Sequence, residues 1–235
     1  MKTYSNLYKN KKLNAWLDIS TYCNAACPQC HRTNPDGLAK VGWLPLIQWS
    51  LSDFKKAFPL KTLECIGNFN FCGTWGDPIM NKDILEICKY IIDNSRCWIF
   101  INTNGSFRDD FWWTHLGYII EGRGRVVFDI DGTNQQMHSY YRQKTDLSKI
   151  LKNMKAYSQF GDVAVFTVVY KHNEDHLEAI NKMVKDICKI KEHLCVPSDR
   201  AHHIDRFKFR KNKQNHYLEH SPKYGMSKQG TSFNL

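Results

Sequence analysis

The chain has 235 residues, with 33 Lys/Arg against 23 Asp/Glu and a net charge of +10, enough for one large domain, or one domain with an extension, around an ample core. No apolar run approaches the roughly 18 residues of a membrane helix, and Met1 to Leu13 is polar and lysine-rich with no hydrophobic leader. Of its nine cysteines, Cys65, Cys72, Cys88, Cys97, Cys188 and Cys195 are scattered; such cysteines are usually small buried hydrophobes, so the pattern argues against a disulfide scaffold and predicts a cytoplasmic protein.

Asn14 to Thr21 alternates apolar and polar residues and predicts a first strand, leading into a loop with Cys23, Cys27 and Cys30. Ser50 or Ser52 can cap a helix that runs to Phe58. Leu63 to Cys72 is an apolar, β-rich run ended by Gly73-Thr74-Trp75-Gly76-Asp77-Pro78. Asn81 is the expected cap of an amphipathic helix whose inner stripe holds Ile84, Leu85, Ile87, Cys88, Ile91 and Ile92. Trp98 to Thr103 predicts a strand ended by Asn104-Gly105, and Asp109 to Glu121 a helix. Arg125 to Ile130 predicts a strand entering Asp131-Gly132, then Leu147 to Phe160 a helix, Val163 to Tyr170 a strand and His176 to Ile190 a helix.

Five strand–helix units argue for a parallel sheet, because parallel neighbours need helical crossovers. No dinucleotide-binding glycine fingerprint follows the first strand. The loops rich in Gly, Asp and Cys all lie at carboxyl ends of strands, where barrels and open α/β sheets place their sites. A full eight-unit barrel takes about 250 residues, and the alternation fades after Ile190. The expectation is an α/β chain with an incomplete (β/α) TIM-like barrel of five or six units over residues 14–190. A polar extension, 1–13, precedes it and a basic extension, 191–235, follows.

The cysteines form C-x3-C-x2-C. Cys27-Pro28-Gln29-Cys30 alone suits half a zinc site or a redox pair, and Cys23 with His31 can complete a Cys3His zinc set. Three thiolates can equally hold an iron–sulfur cluster, which normally takes four, leaving one iron for another ligand.

The loop Cys23-Asn24-Ala25-Ala26-Cys27-Pro28-Gln29-Cys30 resembles that of the radical S-adenosylmethionine (SAM) enzymes, in which SAM chelates the open iron of a [4Fe–4S] cluster. Gly76-Asp77-Pro78 is similar to the end of the family's Gly-Gly-Glu-Pro segment, which lines the amino group of SAM, with Trp75 where the first glycine usually stands. Thr103-Asn104-Gly105 looks like its Thr-Asn-Gly motif, where Asn104 can both donate and accept. Phe128-Asp129-Ile130-Asp131-Gly132 resembles the Ser-Ile-Asp-Gly strand end of peptide-modifying and molybdopterin-precursor members. There Asp129 and Asp131 are expected to face the barrel together, compensated by a ribose diol, a sulfonium or Arg142. Asp129 replaces the family's serine, so the ribose hydroxyls are its expected partners. His138-x3-Arg142 matches the motif whose arginine reaches the SAM carboxylate, as a bidentate, permanently charged guanidinium can. Gln29 departs from the usual aromatic residue, leaving Tyr22 or Trp75 to support the adenine.

The resemblance implies an enzyme in which the cluster cleaves SAM reductively to a 5′-deoxyadenosyl radical that abstracts hydrogen from a substrate, a peptide or small metabolite being favoured. Cys23, Cys27 and Cys30 would be the cluster ligands, and Gly76, Asp77, Pro78, Thr103, Asn104, Asp129, Asp131 and Arg142 the SAM pocket. An acidic flavodoxin- or ferredoxin-type electron donor is the expected partner. Only Cys188 and Cys195 fall in the last quarter, too few for a second all-cysteine cluster.

From Asp199 to Leu235, eight Lys/Arg face three carboxylates, a local +5. This tail reads as a solvated extension, a lid across the barrel, or a nucleic-acid contact with Phe207 or Tyr217 for stacking, so an RNA-modifying enzyme is an alternative. His216 and His220 have helical i,i+4 spacing for a metal. The other alternative is a basic nucleic-acid-binding module with a structural metal on the three cysteines.

Overall fold

A computed structural model describes residues 12–198, 206–224 and 233–234. Its centre is a sheet of six parallel strands: β1 (Leu13–Leu17), β2 (Ile66–Phe71), β3 (Trp98–Thr103), β4 (Gly124–Asp129), β5 (Asp162–Val169) and β6 (Ile190–Pro197). They are hydrogen-bonded in chain order, each parallel to the next. A two-residue strand, β9 (Phe233–Asn234), lies antiparallel on the outer edge of β6. The sheet is not closed, which is the partial barrel expected.

Alternation fixes the two faces of the sheet. In β4, Val126 and Phe128 are fully buried under the helices, while Arg125, Val127 and Asp129 are half-buried on the concave face. The covering helices are α1 (Leu51–Ala57), α2 (Leu60–Leu63), α3 (Ile84–Asn94), α4 (Asp110–Ile119), α5 (Gln135–Tyr141), α6 (Leu147–Tyr157) and α7 (Leu177–Ile187). Their apolar stripes meet the sheet in one core that includes Phe54, Phe69, Ile87, Trp113, Phe128, Met154 and Ile180. Ser50 starts α1 with a reciprocal capping box to Asp53, and Asp109, Asn134 and Asp146 cap α4, α5 and α6. Asn81 is not the α3 cap: it is fully buried, donates to Ile19 O and Trp49 O, and accepts the Asp83 N–H from just before the helix.

Beyond α7 the chain departs from the sequence expectation. The helix ends at Ile187, and the next residues form the sixth parallel strand, so the sheet runs on past Ile190 to Pro197. Part of the basic extension is ordered as an antiparallel hairpin of β7 (Arg206–Lys211) and β8 (Gln214–Glu219). His216 therefore lies in a strand and His220 in an isolated bridge to Tyr170. Four residues of extended chain span about 13 Å, which removes the helical metal pair. No helix among the described residues is long and apolar enough to cross a membrane.

Candidate active site

At the carboxyl edge of the sheet a cavity of about 230 Å³ gathers most of the residues singled out in the sequence. Cys23, Cys27 and Cys30 line it, with Gly76, Asp77, Thr103, Asn104, Asp129 and Arg142. Pro78 and Asp131 do not line it. Pro78 opens a short 3-10 turn, and Asp131 is fully buried beside the cavity wall. The two aspartates do not share the concave face because β4 ends at Asp129 and the alternation ends with it.

The cysteine loop is held at its middle, by a turn within it and by a side chain just after it. Ala26 N donates to Gln143 O at 2.9 Å and Cys30 N to Cys27 O at 3.0 Å, while Arg32 Nε holds Thr21 O at 3.0 Å. Gln29, where an aromatic residue was expected, is buried, and its carbonyl accepts hydrogen bonds from Tyr170 at 2.5 Å and Ser198 at 2.9 Å. That ties the loop to the ends of β5 and β6.

Asp77 organises the opposite wall. Its buried carboxylate accepts bonds from Thr103 Oγ1 (2.8 Å), Asn104 N (2.9 Å), Asn104 Nδ2 (2.6 Å) and Ile79 N (3.2 Å). Burial pushes it up to about 6 against these donors. Its own N–H donates to Tyr22 O at 2.7 Å, pinning the turn to the cysteine loop. Gly76 has no room for a side chain, since a Cβ would stand 2.1 Å from Ser20 O. Gly105 adopts φ +68°, and a Cβ there would meet the Phe128 ring at 2.6 Å.

The third wall is cationic at its centre. Arg142 Nη1 pairs with Asp129 at 2.8 Å and Nε with Asp131 at 2.5 Å. Of the three compensations expected for these aspartates, the guanidinium is the one in place. Burial would lower Arg142, but the two carboxylates more than reverse this and hold it well above its ordinary value. Asp131 also accepts the Val168 N–H at 2.7 Å.

His138 stands behind this pair and does not reach the cavity. Its Nδ1 accepts the Asp131 N–H at 3.2 Å and its Nε2 meets Thr145 Oγ1 at 3.0 Å. The Thr145 hydroxyl donates its proton to Arg142 O at 2.6 Å, so Nε2 carries the ring hydrogen. Burial, with Arg142 nearby, pushes His138 down to about 3.

Tyr141 and Phe166 supply aromatic surface in the cavity, and Arg32, Val168, Val196 and Ser198 are among its other lining residues. None of these was singled out in the sequence, although Phe166 and Val168 follow the alternation of β5 and Tyr141 adjoins Arg142. The expected adenine supports lie elsewhere: Trp75 packs edge-on to Trp43 and His31, and the Tyr22 hydroxyl reaches Leu46 O.

The donor set fits a cationic cluster. Burial pushes the Cys27 thiol up to about 12, Arg142 opposing, and raises Cys23 as well. Thiolates so placed need a metal's charge beside them, and metal binding releases their protons. Among the described residues no three His, Cys, Asp or Glu converge tightly enough for one metal ion. In an iron–sulfur cluster each thiolate takes its own iron, so the thiols need to line a cavity and not to meet at a point.

Comparison with known proteins agrees. No curated protein matches the chain. Among solved structures, similar folds are Streptococcus suis SuiB bound to S-adenosylmethionine (TM-score 0.60, 13% identity, 80% of this chain and 42% of that one) and native anSMEcpe with bound AdoMet (0.55, 18%, 74% and 48%). Methylornithine synthase, PylB, is a third (0.52, 14%, 76% and 53%). This chain therefore spans about half the length of these proteins or less. The family model of the Radical SAM superfamily matches residues 17–184, and with most of the chain covered, the protein belongs to the radical SAM superfamily, enzymes that use a [4Fe–4S] cluster and SAM.

Proposed function

We propose that this chain binds the cluster through Cys23, Cys27 and Cys30 and SAM across the walls built by Asp77 and Arg142, and generates a radical for hydrogen abstraction from a peptide or small metabolite. The observation that carries this is the single cavity on which the three thiols, Gly76, Asn104 and the Arg142–Asp129 pair converge. When bound, the reduced cluster supplies the electron that cleaves the SAM sulfonium to a 5′-deoxyadenosyl radical. Arg142 keeps N–H donors beyond its two ion pairs for a carboxylate. Asp129, held against Arg142 at the cavity surface, is placed to meet hydroxyl groups, and Tyr141 and Phe166 offer flat aromatic surface to a purine. Gly76 and Thr103 shape the Asp77 wall, Pro78 acts from outside the cavity by opening the turn that follows Asp77, and Asp131 acts by orienting Arg142. The enclosed edge of the sheet keeps water from a reactive intermediate.

Below the cavity the concave face is open and amphipathic. Trp98 stacks with Phe100 at 6.4 Å, Trp16 is 67% exposed, and Asn68 donates to Asn14 at 2.9 Å. Such a surface suits a substrate with apolar and amide or hydroxyl groups; in one solved structure of SuiB a precursor peptide, SuiA, is bound.

Anaerobic reconstitution with iron and sulfide, followed by SAM and a chemical reductant, tests the reading. Formation of 5′-deoxyadenosine that disappears in Cys27→Ala is the expected outcome. Zinc without sulfide in the purified protein, and no cluster on reconstitution, would overturn it in favour of a structural-metal module.

A further inference from the structure

Building on that reading, we propose that the outer face of the β7–β8 hairpin is the docking surface for an acidic, low-potential one-electron carrier protein. Residues 206–219 hold five cations, Arg206, Lys208, Arg210, Lys211 and Lys213, against Glu219 alone, a net +4. Alternation puts Arg206, Lys208 and Arg210 on the outer side and Lys211 on the side of Phe207 and Phe209, with Lys213 in the turn at the tip. Arg206, Lys208 and Arg210 are exposed, whereas Phe209 and Leu218 are buried and Phe207 is half-buried. The buried side packs in one apolar cluster with Ala25, Ala26, Cys27 and Tyr170. The hairpin is thus a plate whose inner surface touches the cysteine loop and whose outer surface is cationic.

The plate is fixed to the body of the chain. Arg210 N donates to Pro35 O at 2.8 Å, Gly37 N to Arg210 O at 3.0 Å, Lys171 N to Glu219 O at 3.0 Å, and the Tyr140 hydroxyl to Tyr217 O at 2.8 Å. Glu219 is paired with Lys171, and Asp36 lies 3.7 Å from Arg210. Among the described residues no carboxylate pairs with Lys208, Lys211 or Lys213. The tip adds a second sign. Asn212 and Lys213 both have positive φ, 50° and 62°, a turn in which glycine is strongly favoured. A lysine there accepts backbone strain to place a cation at the tip.

Charge alone would also admit RNA, but the hairpin withholds the stacking groups that single strands use. Phe209 is 2% exposed, Phe207 faces inward, and the Arg206 guanidinium covers the Tyr217 ring at 4.6 Å. What remains is an array of positive charge on a hairpin whose inner side shares one apolar cluster with Cys27. Electron transfer weakens steeply with distance, and cationic arrays speed the encounter with acidic partners. In the step served, the carrier loses one electron and the cluster site gains it; no covalent bond forms or breaks and no proton moves.

The test is a double charge reversal, Lys208→Glu and Lys213→Glu, leaving Arg206 and Arg210 in place, with a double Gln variant as the milder control. Binding of a strongly acidic flavodoxin to the reconstituted protein is measured directly over a range of salt, beside a short single-stranded RNA. The proposal expects salt-sensitive flavodoxin binding that weakens about tenfold or more on reversal and less with Gln, with unchanged 5′-deoxyadenosine formation from a chemical reductant. Equal flavodoxin binding by wild type and the reversed variant, or no binding by wild type, would overturn it. Tighter binding of the RNA, lost on reversal, would overturn it in favour of a nucleic-acid surface. Failure of the wild type to cleave SAM even with the chemical reductant would instead sink the radical SAM reading itself.

Discussion

Two buried carboxylates hold opposite walls of the cavity, and they are stabilised by different means. Asp77 is surrounded by neutral donors: a hydroxyl, two backbone N–H groups and an amide. Asp131 is held by a cation, Arg142, which it shares with Asp129. The Asp77 arrangement joins three segments, the cysteine loop, the 76–78 turn and the 103–104 strand end, without presenting charge outward. The Asp131 arrangement instead fixes a guanidinium at the cavity surface. One wall is a clasp and the other a charged contact, and substitutions should separate the two.

Arg142→Met should have the largest effect. It leaves Asp129 and Asp131 without their cation, and removing one partner of a buried pair typically costs about 3–5 kcal/mol. Chemical denaturation should show a loss of that size, and SAM affinity should fall with it. Arg142→Lys should recover part of the stability but little of the affinity, because an ammonium lacks the fork that spans two carboxylates and a ligand.

Asp77→Ala should come next. Thr103 Oγ1, Asn104 N and Ile79 N would lose their acceptor in a site with little water, at about 1–3 kcal/mol for each donor that stays unsatisfied. The clasp model expects the cysteine loop to loosen. Cluster content after reconstitution should therefore drop, although among the described hydrogen bonds none joins Asp77 to Cys23, Cys27 or Cys30. Retention of full cluster content would show that the turn and the loop are independent. Gly76→Ala probes the same clasp sterically. Its Cβ would sit against Ser20 O, and such overpacking costs about 1–3 kcal/mol, with the same loss of cluster content expected.

Much of this site was legible because its loops follow strands. The Cys23-x3-Cys27-x2-Cys30 loop, the Gly76-Asp77-Pro78 turn and Asn104-Gly105 lie far apart in sequence, and six parallel strands bring their carboxyl ends to one edge, while Arg142 comes from the end of α5. What could not be read depends on neighbours in space. Gln29 looked like a lost adenine support, yet Tyr170 and Ser198, more than a hundred residues away, make it a loop anchor. Asp131 reads as facing the barrel beside Asp129 only when alternation is carried past the end of β4. The strand at Ile190–Pro197 was hidden by Lys191, Glu192 and His193, whose charge and polarity mask its alternation. In the basic tail, the strand period of Phe207 and Phe209 was present but was outweighed by its charge.

The smallest expected effect bears on the charged wall from behind. His138 must be neutral to accept the Asp131 N–H at Nδ1, and burial holds it at about 3, well below the ordinary histidine value of 6.5. His172 and His193 are likewise pushed down, to about 4, by burial. A depressed histidine contributes stability that is complete above pH 6.5 and is lost as pH falls toward the folded value, because the unfolded chain takes up the proton first. Each such group gives a slope of up to about 1.4 kcal/mol per pH unit once pH is well below 6.5. Urea unfolding followed from pH 7 to pH 4.5 should show stability declining with acid, and His138→Gln should remove about one histidine's share of that slope while lowering stability at pH 7. The clasp wall contains no histidine, but its Asp77 is pushed up to about 6 and takes up a proton in the folded state first. That opposes the histidine slope, so Asp77→Ala should steepen the loss of stability between about pH 6 and pH 4.5. A slope unchanged by His138→Gln would mean that Asp131 and Arg142 are positioned without the imidazole, leaving the cation and its two carboxylates to hold that wall by themselves.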